Sequence, residues 1–353
     1  MDRGAAARRI DMALALLEAG GAAEASELAA EACTLDPGWT DAWFVLAETS
    51  ERAGDRLRAV DAYQRCLALE PQDRLGAGVR LTLLGAAGTP DRLPNAYVRA
   101  LFDQTARRFE ESLVGRLEYR APERLMQSLE PFRAEMPSPL AVLDIGCGTG
   151  LAGTLLRPWA ARLDGFDLSP QMVAEARRNN IYDAVAVADL LDLPQGDAPR
   201  YGLAVAVDVL CYVGDLAPAF AAIRARLIGR GHLAFTVEAG SGFPYALGPA
   251  QRFRHDPHAI ERWLADADFE RLACERAVLR RERRPDRLHD PREAVHQIHC
   301  RVDHLASRHI RPGHDQRDAR RRLQHGRLPP HAVLAQLVAV IGGVDDARVL
   351  KLP

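Results

Sequence analysis

The spacing of hydrophobic positions changes character three times along this chain. Up to about residue 87 the sequence is rich in Ala and Leu and keeps a helical period. From 95 to 129, Tyr97, Val98, Leu101, Phe102, Phe109, Leu113 and Leu117 keep the spacing of amphipathic helices. Short apolar runs then take over, and 142–145, 162–166, 184–188, 201–207, 231–237 and 269–279 read as buried strands. Helical patterns separate them, so strand and helix alternate as in a doubly wound, mostly parallel sheet. After residue 280 the periodicity stops. Residues 280–327 are crowded with Arg, His and Asp, and only 333–341 returns to an apolar pattern, as a strand or a short helix.

The first helical stretch repeats itself. Pro37 and Pro71 lie 34 residues apart, and the pairs Met12/Leu46, Ala13/Ala47, Gly20/Gly54, Ala25/Ala59, Ala32/Cys66 and Leu35/Leu69 keep that register. Small residues at Ala13, Ala25, Ala47 and Ala59 let helices approach closely. Each glycine suits the turn between two helices, and each proline ends the second one. The pattern resembles two tetratricopeptide (TPR) units with a partial third at 73–84. Such an array serves either as a docking groove for a peptide or protein, or as a helical extension that completes a core or a dimer. Residues 85–94, with two glycines and two prolines, read as a linker.

The chemistry concentrates where the first strand ends. Val142-Leu143-Asp144-Ile145 runs into Gly146-Cys147-Gly148-Thr149-Gly150, a loop whose glycines allow a tight turn and close approach to a ligand. A dinucleotide fingerprint needs its third glycine where Leu151 stands, which disfavours a dehydrogenase. The second strand ends at Asp167, and one carboxylate there can accept from both hydroxyls of a ribose. The third ends at Asp189-Leu190, the fourth leads into Asp208, and the fifth ends at Glu238. In this order the motifs resemble those of class I S-adenosylmethionine (SAM) dependent methyltransferases, over about residues 95–284. That resemblance implies SAM as cofactor, held by Asp144, Gly146, Cys147, Gly148, Gly150, Asp167, Leu168, Met172, Asp189, Leu190 and Asp208. It also makes 97–109 a lid over the cofactor, as in quinone-biosynthesis methyltransferases. Arg120 is either a donor to the cofactor carboxylate or a solvated helix-end residue. Gly202 and Asp268 depart from the family, which has an aspartate and a glycine at those places.

Methyl transfer from a sulfonium is an in-line displacement, so the protein mainly orients the acceptor and excludes water. A base is required only where the acceptor must lose a proton early. Asp208, Tyr212 and Glu238 follow strands four and five. The segment Arg252-Phe253-Arg254-His255 resembles one in TPR-bearing bacterial methyltransferases, which makes His255 the first choice for a general base and Tyr212 the second. A histidine that caps a helix or lies on the surface is the alternative.

Composition adds limits. The formal net charge of −2 gives no electrostatic reason to expect nucleic acid or a membrane as partner, and Lys351 is the only lysine. Six scattered cysteines form no C-x-x-C pair, and no signal peptide or bilayer-length apolar run is evident, so a cytoplasmic location is expected. Eight histidines (His289, His296, His299, His304, His309, His314, His325 and His331) fall in the late stretch. His296, His299, Cys300 and His304 offer metal-ligand types without a defined spacing motif, so no metal is assigned. The stretch has too few apolar residues to offset an ordering cost of about 1–2 kcal/mol per residue. Disorder is therefore expected there, and an altered reading frame in a G+C-rich gene is another source of such a composition.

The domain expectation is thus an all-α TPR-like region at 1–88, then an α/β, Rossmann-like methyltransferase domain at 95–284, with a helical lid at 95–135 and the core at 140–284. An atypical, disordered tail fills 285–353. The function expected is SAM-dependent methylation of a small-molecule acceptor. A protein methyltransferase with a TPR-recruited substrate, or a catalytically weak TPR and SAM-binding interaction protein, are the alternatives.

Overall fold

The computed structural model describes residues 1–106, 119–193, 199–282 and 332–343. They divide into two compact units, one at 1–71 and one running from 72 through 282 and resuming at 333. The first unit consists of helices α1 (Arg3–Glu18), α2 (Ala22–Leu35), α3 (Thr40–Ala53) and α4 (Arg56–Leu69). α2 and α4 begin and end 34 residues apart. Gly20 and Gly54 follow α1 and α3 at φ 90° and 82°, the left-handed region where a Cβ is unfavourable. Ala13, Ala25, Ala47 and Ala59 are fully buried, as close helix packing requires. Tyr63 fills the second pair, edge-on to Phe44.

Helix α5 (Ala77–Leu83), the expected third partial repeat, lies in the second unit. Its Val79 packs with Leu93, Val98 and Phe253, so the helical region ends nearer residue 71 than 88. Asp73 starts this helix by accepting from Ala77 and Gly78 N–H.

The second unit is built on a sheet. Its parallel part runs β3 (Ala184–Val187), β2 (Arg162–Asp167), β1 (Ala141–Ile145), β4 (Tyr201–Ala206) and β5 (Leu227–Ala239). β1 pairs in parallel with both β2 and β4, so the strand order reverses beside it. Side chains alternate between two cores. Leu143, Ile145, Phe166, Ala204, Phe220, Ile223 and Phe235 fill one face. Helices α10 (Ala217–Arg226) and α11 (Pro257–Asp266) cover it. Val142, Leu163, Leu203, Val205 and Ala234 fill the other, under α7 (Ala121–Leu129) and α8 (Leu151–Leu156). Burial on both faces explains why β1, β2, β4 and β5 read as apolar runs, whereas β3, at the sheet edge and expected to be buried, is mostly exposed.

Beyond β5 the sheet departs from the sequence reading in two ways. A hairpin of β6 (Tyr245–Leu247) and β7 (Phe253–His255) was not anticipated. β7 pairs in parallel with the last residues of β5, Glu238↔Arg254 and Ala239↔His255, on the edge where β4 has stopped. The second departure is a correction to the tail. Ala332–Gly343 is a strand, β9, antiparallel to β5 from His232↔Gly342 to Glu238↔Gln336. β8 (Phe269–Glu282) pairs with β9, so the fold does not close at 284. An apolar run with little polar alternation suits an interior strand, and loop-closure entropy rises only slowly with the length of the connection. The histidine cluster at 289–331 lies outside the described residues, as do Phe109, Leu113 and Leu117 of the expected lid.

The two family departures have local causes. A Cβ at Gly202 would lie 2.5 Å from Pro137 Cγ and 2.9 Å from Leu140 Cδ1, leaving no room for an aspartate. Asp268 keeps the left-handed turn before β8 at φ 56°, a conformation Asp tolerates better than most residues.

Candidate functional site

The glycine loop sits at the carboxyl end of β1, where the strand order reverses and doubly wound sheets bind ligands. Gly146, Gly148 and Gly150 have φ values of 62°, 53° and 106°. A Cβ at Gly146 would come within 2.3 Å of Val209 Cγ2. Cys147 N–H donates to the Phe166 carbonyl (2.9 Å), Gly150 N–H to the Cys147 carbonyl (2.9 Å) and Gly148 N–H to Asp167 Oδ2 (2.9 Å). The Thr149 hydroxyl is buried here without a hydrogen-bond partner. At Gly146 and Gly150 a side chain would run into Val209, Ile181 or Tyr182, so the loop keeps a bare backbone at the place where such sheets bind ligands.

The structure places the expected cofactor residues in two groups. Gly146, Gly148, Leu168 and Asp208 are only partly buried at the strand ends. Asp167 is nearly buried beside them, its Oδ1 accepting from Ser169 N–H (2.8 Å), and burial raises its carboxyl despite the hydrogen bonds from Ser169 and Gly148. Asp189 is clamped. Its Oδ2 accepts from Arg92 (2.8 Å) and Asn95 (2.6 Å), and its Oδ1 from Leu191 N–H (3.1 Å). Burial alone would raise this carboxyl, but the Asn95 and Arg92 hydrogen bonds outweigh it and hold it low. The second group lies behind the wall. Asp144 is 1% exposed with its Oδ2 accepting from the Tyr182 hydroxyl (2.7 Å). Met172 is 1% exposed, and Leu190 packs into the core beside Phe166 and Leu193. Cys147 is buried against Gly165, so its side chain supports the loop from beneath. The side chains of these four residues are packed into the protein and not open to the strand ends.

The described part of the lid is α6 (Asn95–Thr105). Phe102 meets Tyr212 edge-on at 5.5 Å, and Tyr97, Phe102, Leu168 and Tyr212 flank one apolar cluster. Asp103 accepts from the Ser169 hydroxyl and from Gln171 N–H (3.3 Å), which fastens α6 to the start of α9 (Pro170–Arg178) just past Asp167. Ahead of α6, residues 91–93 are stitched to the loop after β4: Leu93 N–H donates to the Tyr212 carbonyl (3.0 Å), and Gly214 N–H to the Asp91 carbonyl (2.7 Å).

On the β4–β5 side, Asp208 has φ 57°, and its N–H donates to Thr236 Oγ1 (2.9 Å). Its carboxylate is hydrogen-bonded by the buried Tyr119 hydroxyl, whose acidity is suppressed by burial and then by the Asp208 charge. Burial likewise pushes the Tyr212 phenol well up, so at neutral pH it is a hydrogen-bond donor and not a base. Glu238 is buried between Arg252 Nε (3.2 Å) and Arg254 Nε (4.0 Å), an occupied ion pair. His255 is the clearest correction. It is fully buried on β7, and its Nε2 donates to the Val213 (2.9 Å) and Gly214 (3.1 Å) carbonyls. Trp263 and Phe253 pack on the ring, and burial lowers its pKa to about 4. It is neutral, enclosed and structural. Arg120 is exposed at the start of α7.

The sequence assigned no role to Arg92, Asn95, Tyr119, Tyr182 and Arg252, which reach the site from distant segments. Two clues existed for Tyr182: Gly153 within a helix and Gly165 within a strand mark a close neighbour.

Residues 117–274 match the model of a family described as a methyltransferase domain. The matched stretch holds the glycine loop, Asp167, Asp189 and Asp208, and its fold is a Rossmann-like α/β sheet with parallel strands. Among curated proteins, the chain is 31% identical over 123 residues to methyltransferase-like protein 27 of Homo sapiens, covering 33% of this chain and 49% of that one. It is 32% identical over 109 residues to the malonyl-[acyl-carrier protein] O-methyltransferase of Erwinia pyrifoliae, covering 31% and 39%. The chain thus spans less than half the length of these two relatives. Among solved structures, the [4+2]-cyclase SpnF superposes with a TM-score of 0.50 at 18% identity, covering 73% of this chain and all of that one. That similarity concerns the fold, which does not fix the reaction.

Proposed function

We propose that this protein is a SAM-dependent methyltransferase acting on a small-molecule acceptor. The observation that carries the reading is the loop of three left-handed glycines at the β1/β4 reversal, tied through Gly148 N–H to Asp167. SAM supplies an electrophilic methyl group on a sulfonium. The glycine loop is placed for close approach of its polar parts, and Asp167 to accept from its ribose. Phe102 and Tyr212 exclude water from the mouth of the site. With His255 enclosed, Asp208, oriented by Tyr119 and Thr236, is the group to hold or accept an acceptor proton. The O-methyltransferase relative supports an oxygen nucleophile on the acceptor.

The 34-residue offset of α2 and α4 supports a second role for the first unit, as a pair of TPR repeats that recruits a protein partner. Among the described residues no helix is long and apolar enough to cross a membrane. The scattered cysteines, none in a disulfide among the described residues, support action in a reducing compartment such as the cytoplasm. Calorimetric titration should show binding of SAM and S-adenosylhomocysteine, lost on Asp167→Ala. Transfer of labelled methyl groups into cell extract should then mark the small-molecule fraction. Label in protein would favour TPR-recruited substrates, and tight SAM binding without any label would favour an interaction protein.

A further inference from the structure

Three glycines and one aspartate converge on a single side chain that no cofactor motif contains. A Cβ at Gly153, inside α8, would lie 2.2 Å from the Tyr182 hydroxyl. One at Gly165, inside β2, would lie 3.0 Å from Tyr182 Cε1, and one at Gly150 would lie 3.3 Å from Tyr182 Cε2. Glycine weakens both helix and strand interiors, so two of these positions give up local stability to make room for one ring. The Tyr182 hydroxyl donates to Asp144 Oδ2 at 2.7 Å. Asp144 precedes the glycine loop, whereas Gly150 closes it and Gly153 stands one helical turn beyond. Tyr182 therefore braces both ends of the loop, through Asp144 before it and through Gly150 and Gly153 at its far end.

We infer that Tyr182 is a positioning residue for the cofactor loop, and that Asp144 acts on the cofactor through it, as a buried charge oriented by the tyrosine hydroxyl and not as a direct ligand. The inference rests on the SAM-binding reading. The buried carboxylate faces Tyr182, Asp167 and the Cys147 thiol. Burial raises its pKa to about 7, the Tyr182 hydrogen bond draws it down, and the Asp167 charge pushes it up. The Tyr182 phenol and the Cys147 thiol are both raised by burial and stay protonated at neutral pH, so the negative charge here belongs to Asp167 and to the ionised fraction of Asp144. A cationic ligand favours ionised Asp144. Affinity should fall as the pH drops through about 7, and removing the hydroxyl should move that fall to higher pH.

The test is calorimetric titration of the full chain with SAM between pH 6 and 8.5, for wild type, Tyr182→Phe and Asp144→Asn. Titration of SAM itself is common to all three and cancels in the ratios. Loss of one hydrogen bond to a charged group should weaken Tyr182→Phe by about tenfold at pH 7.5, with its pH midpoint shifted upward. Asp144→Asn should bind weakly with a flatter profile, any residual slope belonging to Asp167. A Tyr182→Phe variant with wild-type affinity and pH profile would overturn the inference, as would an Asp144→Asn variant that kept the wild-type slope. If Tyr182→Phe does not fold, the near-isosteric Asp144→Asn still decides. Absence of SAM binding by wild type would overturn the methyltransferase reading and this inference together, whereas the variant outcomes bear on the inference alone.

Discussion

The two halves of the sheet's carboxyl edge are built by different means. At β1–β3 the site is mostly main chain, a glycine loop in left-handed backbone tied to Asp167 through Gly148 N–H. At β4–β7 it is mostly side chains, where Tyr119, Asp208, Tyr212, Glu238 and Arg252 come from four separate segments. A site made of backbone leaves a local signature, because only glycine tolerates its dihedral angles and close approaches. A site made of assembled side chains leaves none, since ordinary residues become a site only through contacts between distant positions. The contrast suits a division of labour in which one half holds an invariant cofactor and the other adapts to the acceptor.

Substitutions on opposite halves should separate binding from turnover. The largest effect is expected for Gly146→Val. It forces a β-branched residue to φ 62° and into Val209, which lies 2.3 Å from the new Cβ. The combined strain and clash should cost about 4 kcal/mol and remove SAM binding in calorimetry. Binding that survived would mean that the loop does not hold the cofactor. Glu238→Gln on the other half leaves Arg252 and Arg254 without their carboxylate. Stability should drop by about 3 kcal/mol in urea unfolding, the scale for breaking a buried pair, while the affinity of the folded protein for SAM stays within about twofold. A large loss of affinity would erase the distinction between the halves.

His255 gives a pH test. Its folded pKa is depressed to about 4 from an ordinary value of 6.5, because burial disfavours the imidazolium. The contribution it makes is complete above pH 6.5 and is lost as the pH falls through 4. Linkage puts that loss at about 3 kcal/mol at most, to be read as a falling urea midpoint that His255→Asn makes shallower. A methyl-transfer rate that titrated with His255 near neutral pH would restore it as the base. The smallest effect is expected for Arg92→Ala. The Arg92–Asp189 pair is partly exposed, so its loss should cost about 0.5–1 kcal/mol and change SAM affinity no more than about threefold.

Much of this molecule is legible in its residues. The five parallel strands, the loop at 146–150, Asp167 and the 34-residue spacing of the first helices all follow from local pattern. The burial of Asp144, Met172 and Leu190 does not, because the motif records which residue stands at a strand end and not which way the finished wall faces it. His255 misled for a similar reason. Beside two arginines and ahead of a helix it looked like a base, yet β7 pairing and Trp263 enclose it. The apolar pattern of 333–341 allowed either a strand or a short helix, and pairing with β5 decided between them.

Taken by itself, the sequence determined whatever depends on near neighbours: the alternation of strand and helix, the turns that only glycine can make, the helix period and its repeat. Tertiary structure decided what depends on contacts across the chain. It brought Tyr182 onto Asp144, Arg92 and Asn95 onto Asp189, and β9 into the sheet between β5 and β8. The physical reason is that backbone dihedral preferences and hydrophobic period are set within a few residues. The direction of a buried side chain, and the charge it keeps, are set by atoms that arrive only when the chain has closed around it.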